Sequence, residues 1–274
     1  MKSVRSWHFV PSHRTGYLEK ALSLAADALV FDLEDGVPAA EKEAGRRNLR
    51  RCLGRLKSKD RSRSYVRVNS DEREFRKDLR LLQDVDPAGV VLPKVEDALA
   101  LGPRMRAINR GSPQRARVVL IESFRGLANL AAILDAWPLS AVGLGLEDLF
   151  AEIDVRREEA VDLAKHVQLR FVVEAKARGL ASIDTVSLEY ENLAAFAREC
   201  SEARSLGFDG KFSIHPSQIE AINATFSLRR RDILWARRIA RLTSMRNGSG
   251  YSKRGNDVVS PPKVRKARRI LGRG

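Results

Sequence analysis

"VVLIESFRG", residues 118–126, sets four aliphatic residues directly before a carboxylate, Glu122, and then continues with Ser, Arg and Gly. Such a continuous aliphatic run is typical of a strand that is buried on both faces, as in a parallel sheet. A carboxylate removed from water without a partner is strongly destabilising. We therefore expect Glu122 to hold a cation, to cap a helix or to lie at a wet edge of the sheet.

Runs of this kind recur along the first 228 residues and alternate with longer amphipathic segments. Eight β-rich runs follow one another: "WHFV", "ALVFDLED", "SYVRVNS", "GVVLPKV", "RVVLIES", "AVGLGLED", "SIDTVSL" and "FSIHPSQ". The segments between them carry apolar residues at helical spacing, such as Tyr17, Leu18 and Ala21. This alternation predicts an α/β fold, a (β/α)8 TIM barrel, because an open doubly wound sheet usually has fewer strands. The glycines of "GLGLED" are expected to permit close packing.

Composition bounds the class of protein. The 274 residues, 43% of them hydrophobic, suffice for one large α/β domain. No apolar run approaches the roughly 20 residues of a membrane span, and the apolar segment at the N-terminus is too short for a signal peptide. Cys52 and Cys200 lie in separate helical patterns, which favours buried free thiols over a disulfide bridge. We predict a cytoplasmic protein that does not bind membranes.

The net charge of +15 is concentrated near the C-terminus. Residues 229–274 contain fifteen Lys and Arg against two Asp, a net charge of +13, which leaves +2 for the preceding 228 residues. We therefore predict a barrel domain over residues 1–228 and a basic C-terminal helical extension or lid over residues 229–274. A near-neutral barrel makes nucleic-acid binding an unfavoured function for this domain.

Polar residues occur where the predicted strands end. They are Asp32, Glu34 and Asp35 at the second run, Arg67 and Asn69 at the third, Lys94 at the fourth, Glu122 at the fifth, Glu147 and Asp148 at the sixth, and His215 at the eighth. Barrel enzymes keep their active sites at this face. Glu122 and Asp148 come from neighbouring strands, so we expect them to converge on a hard divalent cation, with Mg²⁺ the natural candidate.

Each of these residues also has a structural interpretation. Glu122, Asp35 and Asp148 are each compatible with a helix cap or with solvent exposure, and Arg67 with a structural ion pair to Glu34. For His215, a hydrogen-bonded residue that precedes a helix is favoured over a catalytic base. Independent caps would not place so many polar residues at one face, which favours a functional site.

Several longer motifs occur in a familiar order. They are "FVPSHRTGYLEKALSLAADALVFDLEDGVPAAEKEAGRRNL", "YVRVNS", "VVLPKVE", "IESFRGLANL", "GLGLEDL", "IDTVSLEYENL" and "GFDGKFSIHPSQIEAINATF". Together they resemble the citrate lyase beta-subunit-like and malyl-CoA lyase branch of the HpcH/HpaI aldolase family, over nearly the whole chain. The resemblance implies a (β/α)8 barrel, assembled as a homotrimer or hexamer, that uses Mg²⁺ in Claisen-type chemistry on acyl-CoA thioesters.

The resemblance also assigns roles to three residues. Glu122 of "IES" and Asp148 of "LEDL" take the metal-ligand positions, and Arg67 of "VRVN" takes the substrate-binding one. All three are implied to be catalytic, with Glu122 also contacting substrate. The alternation of side chains along a strand does not by itself choose Asp148 over Glu147.

Two further groups surround this predicted site. Asp32, Glu34 and Asp35 are expected to form an outer cluster that orders metal-bound waters and nearby cations. Arg14 and Lys20, near the first strand and helix, are candidates to bind CoA phosphates, with ordinary solvated charges as the alternative.

The chain departs from the family pattern in three places. It has "FVPSHRTG" where "FVPGDRPE" is usual, and "LEYEN" where "DFRD" is common. Ser260 takes the position of an Asp that, in the family, precedes a Pro by two residues and reaches a neighbouring subunit's site. A hydroxyl is a poor general acid. Asp257, three residues earlier, is the candidate substitute.

The favoured function is a Mg²⁺-dependent carbon-carbon lyase that cleaves or forms a 3-hydroxyacyl-CoA or related 2-oxo acid. One alternative is an aldolase on free pyruvate-type substrates. Another is a catalytically weak acyl-CoA-binding or scaffolding paralogue whose basic extension docks an acidic partner or RNA. The three family site residues favour an enzyme, whereas Ser260 and the basic extension favour the paralogue. The acyl group, the direction of reaction, the size of the oligomer and any companion subunits do not follow from the sequence.

Overall fold

Eight parallel strands close into a barrel in simple chain order, β1 to β8. The computed structural model describes residues 4–157, 159–244, 252–254 and 257–272. The strands are β1 Ser6–Pro11, β2 Ala28–Asp32, β3 Ser64–Arg67, β4 Gly89–Leu92, β5 Ala116–Ile121, β6 Ala141–Leu144, β7 Ala181–Asp184 and β8 Gly210–Ser213. Each overlaps one of the eight β-rich runs, so the predicted (β/α)8 barrel is confirmed.

Helices follow the strands along the chain, and the last two belong to the C-terminal extension. They are α1 Thr15–Ala21, α2 Lys42–Gly54, α3 Ser58–Arg61, α4 Glu72–Val85, α5 Ala98–Gly111, α6 Phe124–Ala128, α7 Leu130–Ala136, α8 Leu146–Phe150, α9 Val161–Ala177, α10 Leu193–Leu206, α11 Gln218–Phe226, α12 Arg230–Ser244 and α13 Pro261–Leu271, with a short 3-10 helix at Ala39–Glu41. Because a parallel barrel strand is covered on both faces, most strand residues are buried.

The barrel interior is filled by side chains from every part of the sheet. Its buried members are Trp7, Ala28, Val30, Val91, Val118, Leu120, Ala141, Ile183 and Phe212. A Cβ atom added to Gly143 would lie 2.6 Å from the side chains of Leu120 and Phe212. The first glycine of "GLGLED" thus serves close packing, as expected from the sequence.

Strand register determines which strand-end residues become neighbours. Asp32 at the end of β2 is the partner of Arg67 at the end of β3. Ile121 on β5 is the partner of Leu144 on β6, and the amide of Gly145 donates to the carbonyl of Ile121 at 2.9 Å. Glu122 and Gly145 therefore leave the sheet side by side.

The chain divides into two compact units, one over Val4–Thr225 and one that begins at Phe226. The second contains α12, an antiparallel pair of strands, β9 Ser252–Arg254 and β10 Asp257–Val259, and α13. Its own small core consists of Ala236, Ile239, Val259 and Ala267. The sequence predicted helices here but not the paired strands, because three-residue strands are too short to give a recognisable period.

Ser260 and Asp257 are the two residues that the sequence offers for the position of the family Asp. Ser260 is the N-cap residue of α13, is buried, and makes no side-chain cap hydrogen bond. The side chain of Asp257, the candidate substitute for the family Asp, lies outside the described residues.

Both cysteines are free thiols, as predicted, with Cys200 buried in α10. Among the described residues no helix is both long enough and apolar enough to span a bilayer.

His8 on β1 makes the stability of the barrel sensitive to acid. The ring is 4% exposed, and its Nδ1 lies 3.0 Å from the hydroxyl of Ser213. Burial, aided by His215, lowers the pKa of His8 to about 4. The unfolded chain takes up a proton near pH 6.5 and the folded chain only near pH 4, so stability is full above the first value and falls between them.

We therefore expect His8→Gln to remove part of this acid sensitivity. Between pH 7 and pH 5 the wild type should lose about 2 kcal/mol more unfolding free energy than the variant. Urea unfolding of both proteins at the two pH values measures the difference. Equal losses in both proteins would show that His8 does not carry the effect.

Candidate active site

Arg67 is held flat at the carboxyl end of the barrel by carboxylates and an aromatic ring. Its Nε and Nη2 donate to the two oxygens of Asp32, each at 2.7 Å, and its Nη1 lies 3.3 Å from Glu34 Oε2. The guanidinium carbon lies 4.7 Å from the centre of the Phe9 ring. Burial works to lower the pKa of Arg67, but Asp32, Glu34 and Glu122 outweigh it and raise the pKa, so the cation is permanent.

Asp32 is fully committed to this arrangement. Besides the two contacts to Arg67, its carboxylate accepts from the backbone amides of Glu34 at 2.9 Å and Gly36 at 2.8 Å. A side chain at position 36 would collide with Asp32, which explains the glycine there. Four donors from the chain leave Asp32 as a group that positions Arg67, with Glu34 and Asp35 completing the predicted outer cluster.

Lys94 links this cluster to Glu122 through an unusual backbone. Its ammonium lies 3.1 Å from Glu34 Oε1 and 2.9 Å from Asp35 Oδ2. Its φ of +52° is in the left-handed region, which costs a residue with a side chain about 1–3 kcal/mol. In this conformation its backbone amide donates to Glu122 Oε2 at 2.9 Å. The sequence placed Lys94 at a strand end but gave no sign of this role, because Gly or Asn normally marks such a backbone.

Glu122 is a buried carboxylate whose charged form is disfavoured by its surroundings. It is 6% exposed. Burial raises the pKa of Glu122 to about 7 against the opposing effect of Arg67, and the carboxylates of Asp148 and Glu34 add to the rise. A divalent cation at this position would relieve the surplus negative charge, and carboxylate oxygens are the donors that Mg²⁺ prefers. The residues present therefore fit a magnesium ion.

Asp148 and its neighbour Glu147 differ in how they are used. Glu147 pairs with Arg157, whose other terminal nitrogen lies 3.0 Å from Glu199. Asp148 is exposed in the first turn of α8 and, among the described residues, makes no hydrogen bond or ion pair. This asymmetry distinguishes Asp148 from Glu147, which the sequence pattern alone did not.

A metal ion at this site would not be enclosed by the protein. Within the described chain, no group of three or more His, Cys, Asp or Glu is placed to hold a metal. Glu122 and Asp148 would supply two protein ligands. Water and substrate oxygens would complete the coordination, as is usual for Mg²⁺.

These residues open onto a cavity of about 330 Å³. It is lined by Phe9, Pro11, Asp32, Asp35, Gly36, Arg67, Leu120, Glu122, Leu144, Gly145, Glu147, Asp148, Val186, Leu188, Phe212 and Ile214. Of the other predicted residues, Glu34 lies behind this lining, against Arg67 and Lys94. His215 is exposed, with its Nδ1 2.7 Å from the hydroxyl of Ser217, and precedes α11, as the structural interpretation expected.

Arg14 and Lys20 are not among the residues that line this cavity. Both are exposed, Arg14 at the N-cap of α1 and Lys20 in its last turn. Arg14 donates from Nε to the Nε2 of His13 at 3.2 Å. Their binding of CoA phosphates stays a prediction.

Thr185 was given no role by the sequence reasoning, and Gly145 was expected only to permit close packing. The hydroxyl of Thr185 accepts from the amide of Leu146 at 3.0 Å and so fixes the start of α8, which carries Asp148. Gly145 packs against Glu122, since a Cβ atom there would lie 2.6 Å from Glu122 Cγ. The second glycine of "GLGLED" was the available signal, because a glycine beside a site often marks a close approach.

We expect Gly145→Ala to displace Glu122 and to weaken Mg²⁺ binding by about tenfold, as loss of an outer support usually does. Titration calorimetry with Mg²⁺ measures the change. Gly54→Ala is the matched control, because an added Cβ at position 54 meets nothing within 4 Å. Equal Mg²⁺ affinities in the two variants would show that Gly145 does not position the ligand.

Fold and site together define a (β/α)8-barrel protein whose polar site, built from carboxylates and one arginine, lies at the carboxyl ends of the strands. The family model described as HpcH/HpaI aldolase/citrate lyase matches residues 5–216. The chain belongs to this family, which confirms the resemblance drawn from its motifs.

Relatives of known description extend over nearly the whole chain. It is 33% identical to a (3S)-malyl-CoA thioesterase from Cereibacter sphaeroides, over 98% of this chain and 94% of the relative. It is 31% identical to a citrate lyase subunit beta-like protein from Mycobacterium tuberculosis, over 93% of this chain and 90% of the relative. Family members are thus enzymes of citrate lyase beta or malyl-CoA thioesterase type.

Solved structures agree with these sequence relatives. The CitE protein of Mycobacterium tuberculosis, in complex with magnesium, acetoacetate and coenzyme A, is 31% identical and gives a TM-score of 0.77 over 99% of this chain and 98% of that one. A citrate lyase beta subunit from the same organism, complexed with oxaloacetate and magnesium, gives 0.69 at 31% identity, over 82% of this chain and 98% of that one. Both structures contain magnesium and an oxo acid.

Proposed function

We propose that this protein is a Mg²⁺-dependent carbon-carbon lyase that cleaves or forms a 3-hydroxyacyl-CoA thioester. The observation that carries the proposal is the buried carboxylate of Glu122, whose pKa is raised to about 7 beside Asp148 and Arg67 in one cavity. A bound cation would stabilise the charged form of a carboxylate in this environment. Relatives whose structures hold magnesium, an oxo acid and coenzyme A support the same assignment.

Magnesium, when bound, would supply a Lewis acid for the carbonyl and carboxylate oxygens of the oxo acid. Glu122 and Asp148 would hold it at the carboxyl end of the barrel. The N–H groups of Arg67 that Asp32 does not occupy would donate to the thioester oxygen as negative charge develops there. Because Asp32 and Phe9 already fix the guanidinium, no reorganisation accompanies that donation.

The lining of the cavity favours a lyase over a thioesterase that works through an acyl-enzyme. Its described residues include no Ser, Cys or His, so an acyl-enzyme on a hydroxyl, thiol or imidazole has no nucleophile there. The relatives described as malyl-CoA thioesterases make hydrolysis the second candidate. Hydrolysis would need a water activated by Glu122 or Asp148 instead.

A substrate panel tests the proposal. Citramalyl-CoA, malyl-CoA and 3-hydroxy-3-methylglutaryl-CoA are each incubated with the protein and Mg²⁺. The released thiol and the released oxo acid are measured separately. A lyase releases the acid and keeps the thioester, whereas a thioesterase releases thiol. Turnover of none of the three, with intact Mg²⁺ binding, would favour a catalytically weak paralogue.

The basic C-terminal extension, residues 229–274, is proposed to help hold the nucleotide portion of CoA. Its described helices carry many exposed cations, among them Arg230, Arg237, Arg265 and Arg269. CoA carries a pyrophosphate and a 3′-phosphate, which arginine binds well. Assembly as a homotrimer or hexamer also stays a prediction, and light scattering would test it. The cytoplasmic location stays a prediction as well.

We expect CoA-thioester affinity to fall when the chain ends at Ser227, and to fall in the full chain as salt rises from about 0.05 M to about 0.5 M, since the Debye length shrinks to about 4 Å. A full-length variant with Arg265, Arg268 and Arg269 changed to Gln serves as the milder version. Calorimetry with a non-hydrolysable thioester measures both. Equal CoA-thioester affinities and equal salt dependences in all proteins would contradict this role. They would favour the alternative in which the extension docks an acidic partner or RNA.

A further inference from the structure

The cavity at the barrel mouth has an unbalanced set of charges. Its described lining holds one cation, Arg67, and five carboxylates: Asp32, Asp35, Glu122, Glu147 and Asp148. Even with one divalent cation bound, the lining keeps a net charge of −2. A divalent cation can bind the carboxylate and carbonyl oxygens of one oxo acid, and Arg67 donates to the thioester oxygen, after which little positive charge remains.

Cations beside the cavity are already matched with carboxylates. Arg67 binds Asp32 through two hydrogen bonds. Lys94 lies on Glu34 and Asp35. Arg157, beyond Glu147, is shared by Glu147 and Glu199. A second carboxylate on the substrate would therefore meet repulsion rather than a partner.

The remaining wall of the cavity is apolar. It consists of Phe9, Leu120, Leu144, Val186, Leu188, Phe212 and Ile214. The rings of Phe9 and Phe212 lie 5.1 Å apart, and Leu188 and Ile214 are 63% and 40% exposed. An entering alkyl group would cover these two side chains. Each methylene group buried in this way should raise the affinity for the ligand about fourfold.

We infer that the site is selective for a monocarboxylic 2-oxo acid with a short alkyl substituent, and for the 3-hydroxyacyl-CoA that contains it, over a dicarboxylic oxo acid. This inference rests on the proposed function and names its substrate class. The carboxylate that chelates the metal is then the only free acid group of the oxo-acid part, and the alkyl substituent lies against the apolar wall.

A binding panel with Mg²⁺ and the full-length protein tests the selectivity. The probes are glyoxylate, pyruvate, 2-oxobutyrate and 2-oxovalerate, with oxaloacetate as the dicarboxylic acid of similar size to 2-oxovalerate. By calorimetry, 2-oxobutyrate should bind several-fold more tightly than glyoxylate, and oxaloacetate at least about tenfold more weakly than 2-oxovalerate. Oxaloacetate binding as tightly as 2-oxovalerate, which lacks the second carboxylate, would overturn the inference.

A gain-of-function variant provides the second arm. Leu188→Arg adds the missing cation at an exposed position and should narrow the difference between oxaloacetate and 2-oxovalerate by about tenfold. Leu188→Gln has a similar length without charge and should keep the wild-type preference. Equal ratios in the two variants would contradict the charge argument.

The panel also separates this inference from the proposed function. Preference for oxaloacetate together with turnover of a CoA thioester would leave the lyase standing and overturn the selectivity alone. Failure of every oxo acid to bind in the presence of Mg²⁺ would overturn both.

Discussion

Tight Mg²⁺ binding disappears when Glu122 or Asp148 is changed to Ala; this is the expected result with the largest effect. Because these two carboxylates are proposed as the only protein ligands, loss of either should weaken Mg²⁺ binding by more than about 100-fold, beyond the range for outer supporting residues. Lyase activity should be lost with it. Titration calorimetry and thermal unfolding, run on the same samples, measure affinity and folding together.

Two further variants separate charge from packing. Glu122→Gln keeps the volume and an oxygen for the Lys94 amide but removes the charge, so it should lose Mg²⁺ as fully as Glu122→Ala. Glu220→Ala removes an exposed acid from α11 and should bind Mg²⁺ as the wild type does. Unchanged Mg²⁺ affinity in both the Glu122 and Asp148 variants would remove them as ligands.

Arg67→Lys should lower kcat/KM by about 100-fold while Mg²⁺ binding persists. Lysine keeps the positive charge, but it has no planar fork to bridge the two Asp32 oxygens and no flat face to lie on Phe9. Steady-state kinetics with the best thioester of the panel measure the effect.

Arg50→Lys is the matched control for this change, because Arg50 pairs with Asp84 on the exposed surface and should tolerate lysine. A structural role for Arg67 would lower thermal stability without a large kinetic effect. A fall in kcat/KM below about threefold would therefore show that Arg67 is structural.

The fold could be predicted because its defining signal is local. The strands of the barrel are largely buried on both faces, so most of them leave a short apolar run, and "VVLIES" is the clearest of them. The paired strands β9 and β10 left no such signal, since each has three residues and pairs only with the other.

The site could be predicted only to the level of strand ends. That Asp32 and Arg67 share a register, 35 residues apart, depends on which strands are neighbours. That Lys94 donates its amide to Glu122 depends on a backbone conformation that nothing in "VVLPKV" indicates. Residue types at strand ends were therefore sufficient to nominate the site, but their partners required the three-dimensional structure.

The left-handed backbone at Lys94 has a consequence for how this site can change through evolution. Glycine or asparagine at position 94 would relax the backbone and keep the amide that Glu122 needs, so selection for stability alone favours their arrival. Either would lose the ammonium that separates the carboxylates of Glu34 and Asp35. Lysine at this position therefore exchanges backbone stability for a cation between two carboxylates, and its replacement by glycine should raise stability while weakening the site.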